Sequence, residues 1–323
     1  MVALHPAPRS PENAGDFAAP AQPEHDMPQG NTHRRGSDIM IFKGFLTASI
    51  LAASTVAAVA ESPVTYFGDI GLAVGRDRIM STDDDDEGIS INSGLLDGYV
   101  GAEMNGWRGT LDFSMMRRGD NDESAFDSFA PTQGAALGLH FGRNLPNNGY
   151  AGLFLGRNWF QGDDGATNDS NLHGSLYGIE GEFQVMPRGM LYGQVGRARM
   201  IGDGSDTGFE GNFAKLGMAY QYNDRLLVRL EGERGKSPFF FEDSGDWGDY
   251  NKISLGGEYE LRPNLLATAK ISHMNIRANT EDDGNDNTIQ LGLRWRFGAQ
   301  SDSYNLRTTY MPGQAAAWGE VLD

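Results

Sequence analysis

From Pro63 onward, apolar and polar positions alternate with a period of two, not with the 3.6-residue period of an amphipathic helix. Val64, Tyr66, Gly68, Ile70, Leu72 and Val74 alternate with Phe67, Asp69, Gly71 and Ala73. Trp107, Gly109, Leu111, Phe113 and Met115 alternate in the same way with Arg108, Thr110, Asp112 and Ser114. Similar runs cover Tyr177–Val185, Leu226–Leu230, Ile253–Leu261 and Ile289–Phe297. A typical run of about 9–11 residues is long for a globular strand and suits a tilted strand crossing a bilayer. The phase is ambiguous over 150–160 and 190–201, where register cannot be read from the letters.

The connections between runs fall into two kinds that alternate along the chain. Five are short and rich in turn residues: Asn105-Gly106, Asn144 to Gly149, Pro187-Arg188-Gly189, Asn223-Asp224 and Arg262-Pro263-Asn264. Asn-Gly between alternating runs is a strong hairpin signal, because both residues tolerate positive φ. Six others, at about 75–94, 117–133, 161–173, 201–212, 234–251 and 275–287, are long and acidic. Eleven connections join twelve strands. A propeller needs four short strands per blade, and a soluble sandwich gives no reason for tight turns at one end and long charged loops at the other. A sheet that crosses lipid must close on itself to pair every backbone group. The pattern therefore predicts an all-β fold: a closed antiparallel transmembrane β-barrel of about twelve strands, with short periplasmic turns and six long acidic outer loops.

Composition agrees once it is divided by position. The chain has 323 residues, 44 acidic and 26 basic, with a formal net charge of −18. The six long connections hold 24 of the acids and 7 of the bases, so the rest of the exported chain is near balance. A mean hydropathy of −0.45 excludes a bundle of transmembrane helices but not a barrel, which shows lipid only half of each strand. A pI near 4.6 argues against nucleic acid as a partner. Without cysteine there is no disulfide framework, thiolate metal site or cysteine nucleophile. Glycine, at 44 residues, is roughly twice its usual share of about 7%.

The first segment reads differently. Residues 1–39 lack apolar periodicity and are expected to be disordered, an upstream extension outside the true start. Met40, Lys43, the apolar Gly44–Val56 and the small-x-small Ala58-Val59-Ala60 form a secretory signal peptide over 40–60, with cleavage after Ala60. The barrel is then expected over 61–298, and residues 299–323 as a C-terminal periplasmic tail; folding of that tail into the barrel mouth is the alternative.

The signal peptide, the twelve runs and the closing Gly292-Leu293-Arg294-Trp295-Arg296-Phe297 resemble a Gram-negative outer-membrane β-barrel of porin-like type. The resemblance covers roughly residues 63–298 and is one of pattern. It implies an outer-membrane location and an assembly signal carried by Gly292, Trp295 and Phe297. It also implies outer-membrane lipid, lipopolysaccharide and the barrel-assembly machinery as partners, and no cofactor. In the family pattern the final aromatic ends the chain, whereas here Gly298 to Asp323 follows it.

Alternation points a mixed set of charges inward. Asp69, Asp97, Glu103, Arg108, Asp112, Glu180, Glu182, Arg229, Glu231, Glu258, Glu260, Lys270, Arg294 and Arg296 are the pore-lining candidates, with Lys215, Glu233 and Lys252 on the same face. Such rings set ion selectivity in channels; the bland alternative is that they pair across strands and rigidify a filled barrel. A twelve-strand lumen lies between packed eight-strand barrels and open 16-strand porins. Inward Gly138, Gly142, Gly256 and Gly292 favour space, or merely ease strand curvature. Trp107, Tyr150, Trp159, Tyr220, Tyr222, Tyr259 and Trp295 fit interfacial aromatic girdles.

Asp83, Asp85 and Glu87 loosely echo the opening of a calcium loop and are candidates for weak divalent cation binding, although Gly94 stands where the closing Glu belongs. Arg197 and Arg199 are placed to meet lipid phosphates or loop acids. Asn168-Asp169-Ser170 and His173-Gly174-Ser175 invite comparison with barrel hydrolases, but neighbouring letters do not make a catalytic group and no enzyme is expected. The expected function is a passive channel for small hydrophilic solutes or ions, preferring cations because its rim is acidic. A non-conducting structural or surface-interaction barrel is the second reading, and an outer-leaflet hydrolase the third.

Overall fold

The computed structural model describes residues 64–81, 89–119, 131–146, 148–162, 171–202, 207–238, 248–278, 283–299, 305–312 and 314–315. The expected extension 1–39, the signal peptide 40–60 and the Asp83, Asp85 and Glu87 candidates lie outside the described residues.

Among the described residues twelve strands follow one another. They are β1 (Thr65–Ser81), β2 (Ile89–Met104), β3 (Trp107–Arg118), β4 (Pro131–Leu145), β5 (Gly149–Gly162) and β6 (Asn171–Met186). The second half comprises β7 (Gly189–Gly202), β8 (Thr207–Asn223), β9 (Leu226–Ser237), β10 (Gly248–Arg262), β11 (Leu265–Ala278) and β12 (Asp283–Gly298). Each pairs antiparallel with its neighbours in sequence, and β1 pairs with β12, Leu72 opposite Leu293, to close the barrel. The short turns fall where the sequence places them. Asn105 (φ 54°) and Gly106 (φ 78°) both take the left-handed conformation that a two-residue hairpin needs between Met104 and Trp107. Asn264 (φ 69°) does the same between β10 and β11.

The strands run 12 to 17 residues, longer than the 9–11 expected. The reason is an inversion of polarity along them. Towards the short turns the outward face is apolar: Leu72, Val74, Leu153, Leu155, Val195 and Leu291 are all exposed. Towards the long connections the apolar side chains turn inward, and Arg76, Arg78, Arg157, Arg197, Arg199 and Arg234 take the outward positions. On β7, for example, Val195 points out beside inward Gln194, but two residues later Arg197 points out beside inward Ala198. This swap erases a single-phase signal, which explains the ambiguity at 150–160 and 190–201.

It also corrects the loop boundaries. Asp77, Arg118 and Asp286 fall within three of the acidic connections counted from sequence, yet they sit on β1, β3 and β12 and are buried inside. Part of the charge assigned to the outer rim therefore belongs to the lumen.

Candidate functional site: a lumen threaded by the C-terminal segment

The barrel interior has an apolar cluster at each end. Towards the short turns Phe67, Tyr99, Tyr150, Tyr192, Ala219 and Leu227 pack together with Leu306. Towards the long connections Ile79, Ile91, Met116, Phe160, Leu172, Met200, Phe209 and Tyr250 pack with Met311 and Ala315. The C-terminal segment thus contributes to both clusters and threads the lumen between them. For residues 305–312 and 314–315 this corrects the expectation of a periplasmic tail. The correction has a physical cause: β12 ends at the short-turn end, and the lumen offers polar partners to Asn305, Arg307, Thr308, Thr309 and Gln314.

Those partners are the inward charges. The guanidinium of Arg307 donates from Nη2 to both oxygens of Asp69 (2.8 Å each) and from Nη1 to Asp97 Oδ2 (2.7 Å). Its carbon lies 5.2 Å from the centre of the Tyr99 ring. Burial works against this cation, and the paired carboxylates of Asp69 and Asp97 offset that cost. The Thr308 amide donates to Asp112 Oδ2, and its hydroxyl lies 3.1 Å from His140 Nε2. Thr309 donates to Glu233, Arg229 donates to Asn305, and Gln314 donates to Asp286. Lys215 donates to the Arg307 carbonyl.

Inward glycines make room for this chain. A Cβ at Gly138 would overlap the Thr308 hydroxyl and Asp112, and one at Gly156 would meet the Thr308 methyl. Of the four glycines read as space-makers, Gly138 therefore serves the threaded segment. Gly142 accommodates Tyr150 instead, and Gly292 lies against the Leu72 carbonyl and Thr268.

The charges the alternation points inward do face inward, and most are paired. Arg294 bridges Asp69 and Asp97 at 2.7 Å each. Glu258 joins Arg229 and Arg296, both at 2.6 Å. Arg108 lies 4.0 Å from Glu103 and 3.7 Å from Glu182. Glu231 accepts from Tyr192, and Lys270 lines a cavity with Lys215 and Lys252; Glu260, also inward, is half-buried. That cavity, of about 230 Å³, lies beside Asn305 and Arg307 to Met311 of the threaded segment and is bordered by residues of every strand except β5 and β6.

Sequence reasoning missed a second charged cluster. Arg118 donates to Asp77 (2.9 Å) and Asp286 (2.6 Å), all three being at most 3% exposed. Polar letters near a long connection read as loop, so only three-dimensional pairing reveals it. Tyr150 is another correction: it is not an interfacial residue but is 1% exposed inside the lumen, its hydroxyl 3.2 Å from Glu180. Trp107, Tyr220, Tyr222, Tyr259 and Trp295 do lie exposed on the outer surface, and all five sit towards the short turns.

His140, Glu180 and Thr308 form a hydroxyl–imidazole–carboxylate series, Nδ1 lying 2.8 Å from Glu180. A catalytic reading needs a substrate atom beside the hydroxyl. Here the imidazole is fully buried and the hydroxyl packs over Gly138, so the series holds the segment in place. His173 and Ser175 lie on the outward face of β6 with Tyr177. Arg197 and Arg199 both meet Glu210, at 2.7 and 3.5 Å. Gly292, Trp295 and Phe297 are on the closing strand, with the rings of Trp295 and Phe297 5.7 Å apart.

No protein-family model matches the chain, and no curated protein matches it. Solved structures similar to it include the TodX monoaromatic hydrocarbon channel deltaS2 mutant, with 11% identity, 74% of this chain and 91% of that chain covered, and a TM-score of 0.45. The translocator domain of autotransporter NalP from Neisseria meningitidis is similar at 14% identity, over 80% of this chain and 98% of that one, with a TM-score of 0.40. The outer-membrane protein OmpT of Vibrio cholerae is similar at 9% identity, over 74% and 99%, also with a TM-score of 0.40. The closed twelve-strand antiparallel barrel rests on the strand pairing of this chain itself.

Proposed function

We propose that the protein is a Gram-negative outer-membrane channel of porin-like type for small hydrophilic solutes or ions, held closed or narrow by its own C-terminal segment. The observation that carries this reading is the space left beside the segment, a cavity of about 230 Å³ with the charged Lys215, Lys252, Lys270 and Glu231 on its walls. Buried ion pairs contribute little net stability compared with apolar packing, so a barrel needing only rigidity gains little from them. A lumen that conducts water and ions uses them to select.

The membrane location is supported by the outward surface. An apolar band is bordered by Trp107, Tyr220 and Trp295 on the short-turn side and by arginines on the other, a pattern that suits the two edges of a bilayer. In that setting Gly292, Trp295 and Phe297 serve recognition by the assembly machinery. Cation preference follows from the acidic long connections, which concentrate cations at the outer mouth. The reading includes no catalytic role.

Planar-bilayer recording of the full chain tests it. Step-like openings are expected, with cation preference at low salt that fades as salt screens the rim. An absence of openings under all voltages, or anion preference at low salt, rejects the proposal. The apolar cluster at the outer end favours a second reading, a non-conducting barrel whose loops meet partners. It predicts no openings and unchanged envelope permeability when the protein is deleted.

A further inference from the structure

We propose that Asp69, Asp97 and Tyr99 form a recognition site for guanidinium-bearing solutes, which Arg307 of the chain's own C-terminal segment occupies in this structure. The inference rests on the channel reading and names the class of solute drawn into the lumen.

The site is built for a planar fork rather than a point charge. Asp69 meets one nitrogen of the fork through both oxygens, Asp97 meets the other, and the Tyr99 ring lies beside the plane. A guanidinium satisfies all three at once with its planar fork, whereas an ammonium is a point charge without a flat face to match the fork or the ring. The walls do not depend on the occupant. Arg294 donates to Asp69 Oδ1 and Asp97 Oδ2 at 2.7 Å each, the same oxygens that Arg307 uses, and so holds both carboxylates in register.

Charge balance gives the site its affinity. Asp69 and Asp97 are held by Arg307 and by Arg294, which is itself shared with Glu258 at 3.7 Å. When Arg307 leaves, the two carboxylates lose one of these two cations in a partly desolvated lumen, where attraction for a replacement cation is stronger than in water. Asp97, Arg294 and Arg307 border the cavity beside the segment, which leaves space next to the site inside the lumen. Arg307 also belongs to a separate stretch of chain, without strand pairing to the barrel wall, so it can be exchanged for a free solute without breaking the ladder. A solute that binds must displace Arg307 and loosen the segment on either side of it.

The test uses full-length protein in detergent with Arg307→Ala, and methylguanidinium chloride as the probe against methylammonium chloride. Calorimetry should show one methylguanidinium bound per chain, about tenfold more tightly than methylammonium and than to the unaltered protein. Asp97→Asn added to Arg307→Ala should abolish the difference. Equal binding of the two cations, indifference to Asp97→Asn, or no binding by a folded Arg307→Ala chain overturns the inference. Should that variant fail to fold, hydrogen exchange on the unaltered protein decides: amides 306–310 should exchange faster in methylguanidinium than in equal methylammonium, and identical exchange overturns it. A barrel that binds the probe but never conducts contradicts only the channel reading; one that conducts but does not discriminate contradicts only this inference.

Discussion

Substituting Gly138 by Ala tests whether the threaded segment is held by fit as well as by charge. The added methyl would occupy the space of the Thr308 hydroxyl and of one Asp112 oxygen, so Thr308 has to leave. Two interactions go with it: the Thr308 amide to Asp112, which is charge-assisted, and the Thr308 hydroxyl with His140. At about 1.5–3 kcal/mol for the first and 0.5–1.5 for the second, the loss is about 3 kcal/mol. That corresponds to roughly a 100-fold shift of the segment towards release. Gly256→Ala is the matched control, since it is also inward but its new methyl would find nothing nearer than the Ala269 carbonyl at 3.6 Å. Hydrogen exchange of the 305–312 amides is the assay. Gly138→Ala should lose protection there while the strands keep theirs, and Gly256→Ala should resemble the parent. Equal protection in all three proteins would refute the idea that close fit at Gly138 retains the segment.

Other consequences follow from the same contacts. Arg118→Met strands the buried carboxylates of Asp77 and Asp286 and should cost about 3–5 kcal/mol in urea unfolding from lipid vesicles. Adding Asp77→Leu and Asp286→Leu should restore most of that. Leu155→Lys places a charge mid-strand on the apolar outer surface and should cost about 2–4 kcal/mol in the same assay, whereas Leu155→Phe should be close to neutral. Thr309→Val removes the hydroxyl that meets both oxygens of Glu233 (2.8 and 2.9 Å), so exchange around residue 309 should rise by about tenfold or more, with barrel stability unchanged.

The barrel was legible because strand alternation and turn chemistry are local. Trp107 to Met115 shows its two faces in nine letters, and Asn105-Gly106 states its turn in two. The inward charges followed from the same periodicity, from Asp69 on β1 to Arg296 on β12. What stayed hidden depends on contacts distant in sequence. Leu306-Arg307-Thr308-Thr309 has no period of its own, because its backbone joins no ladder; its place is fixed by Asp69, Asp97, Asp112 and Glu233 on four different strands. Tyr150 looked interfacial because an aromatic beside a short turn reads the same whether it faces lipid or Glu180. Asp77, Arg118 and Asp286 read as loop because their flanking residues are polar: Arg76 and Arg78, Arg117, and Asn285 and Asn287.

The central claim, that the C-terminal segment obstructs a conducting lumen, is tested most directly by recording single barrels before and after the segment is cut free. A protease site inserted after Ala299 allows cleavage once the barrel is folded and in the bilayer, so assembly is not at issue. Conductance should rise in a step on cleavage, and a synthetic peptide of residues 305–315 should reduce it again. Unchanged conductance after complete cleavage and washout of the segment would contradict the account.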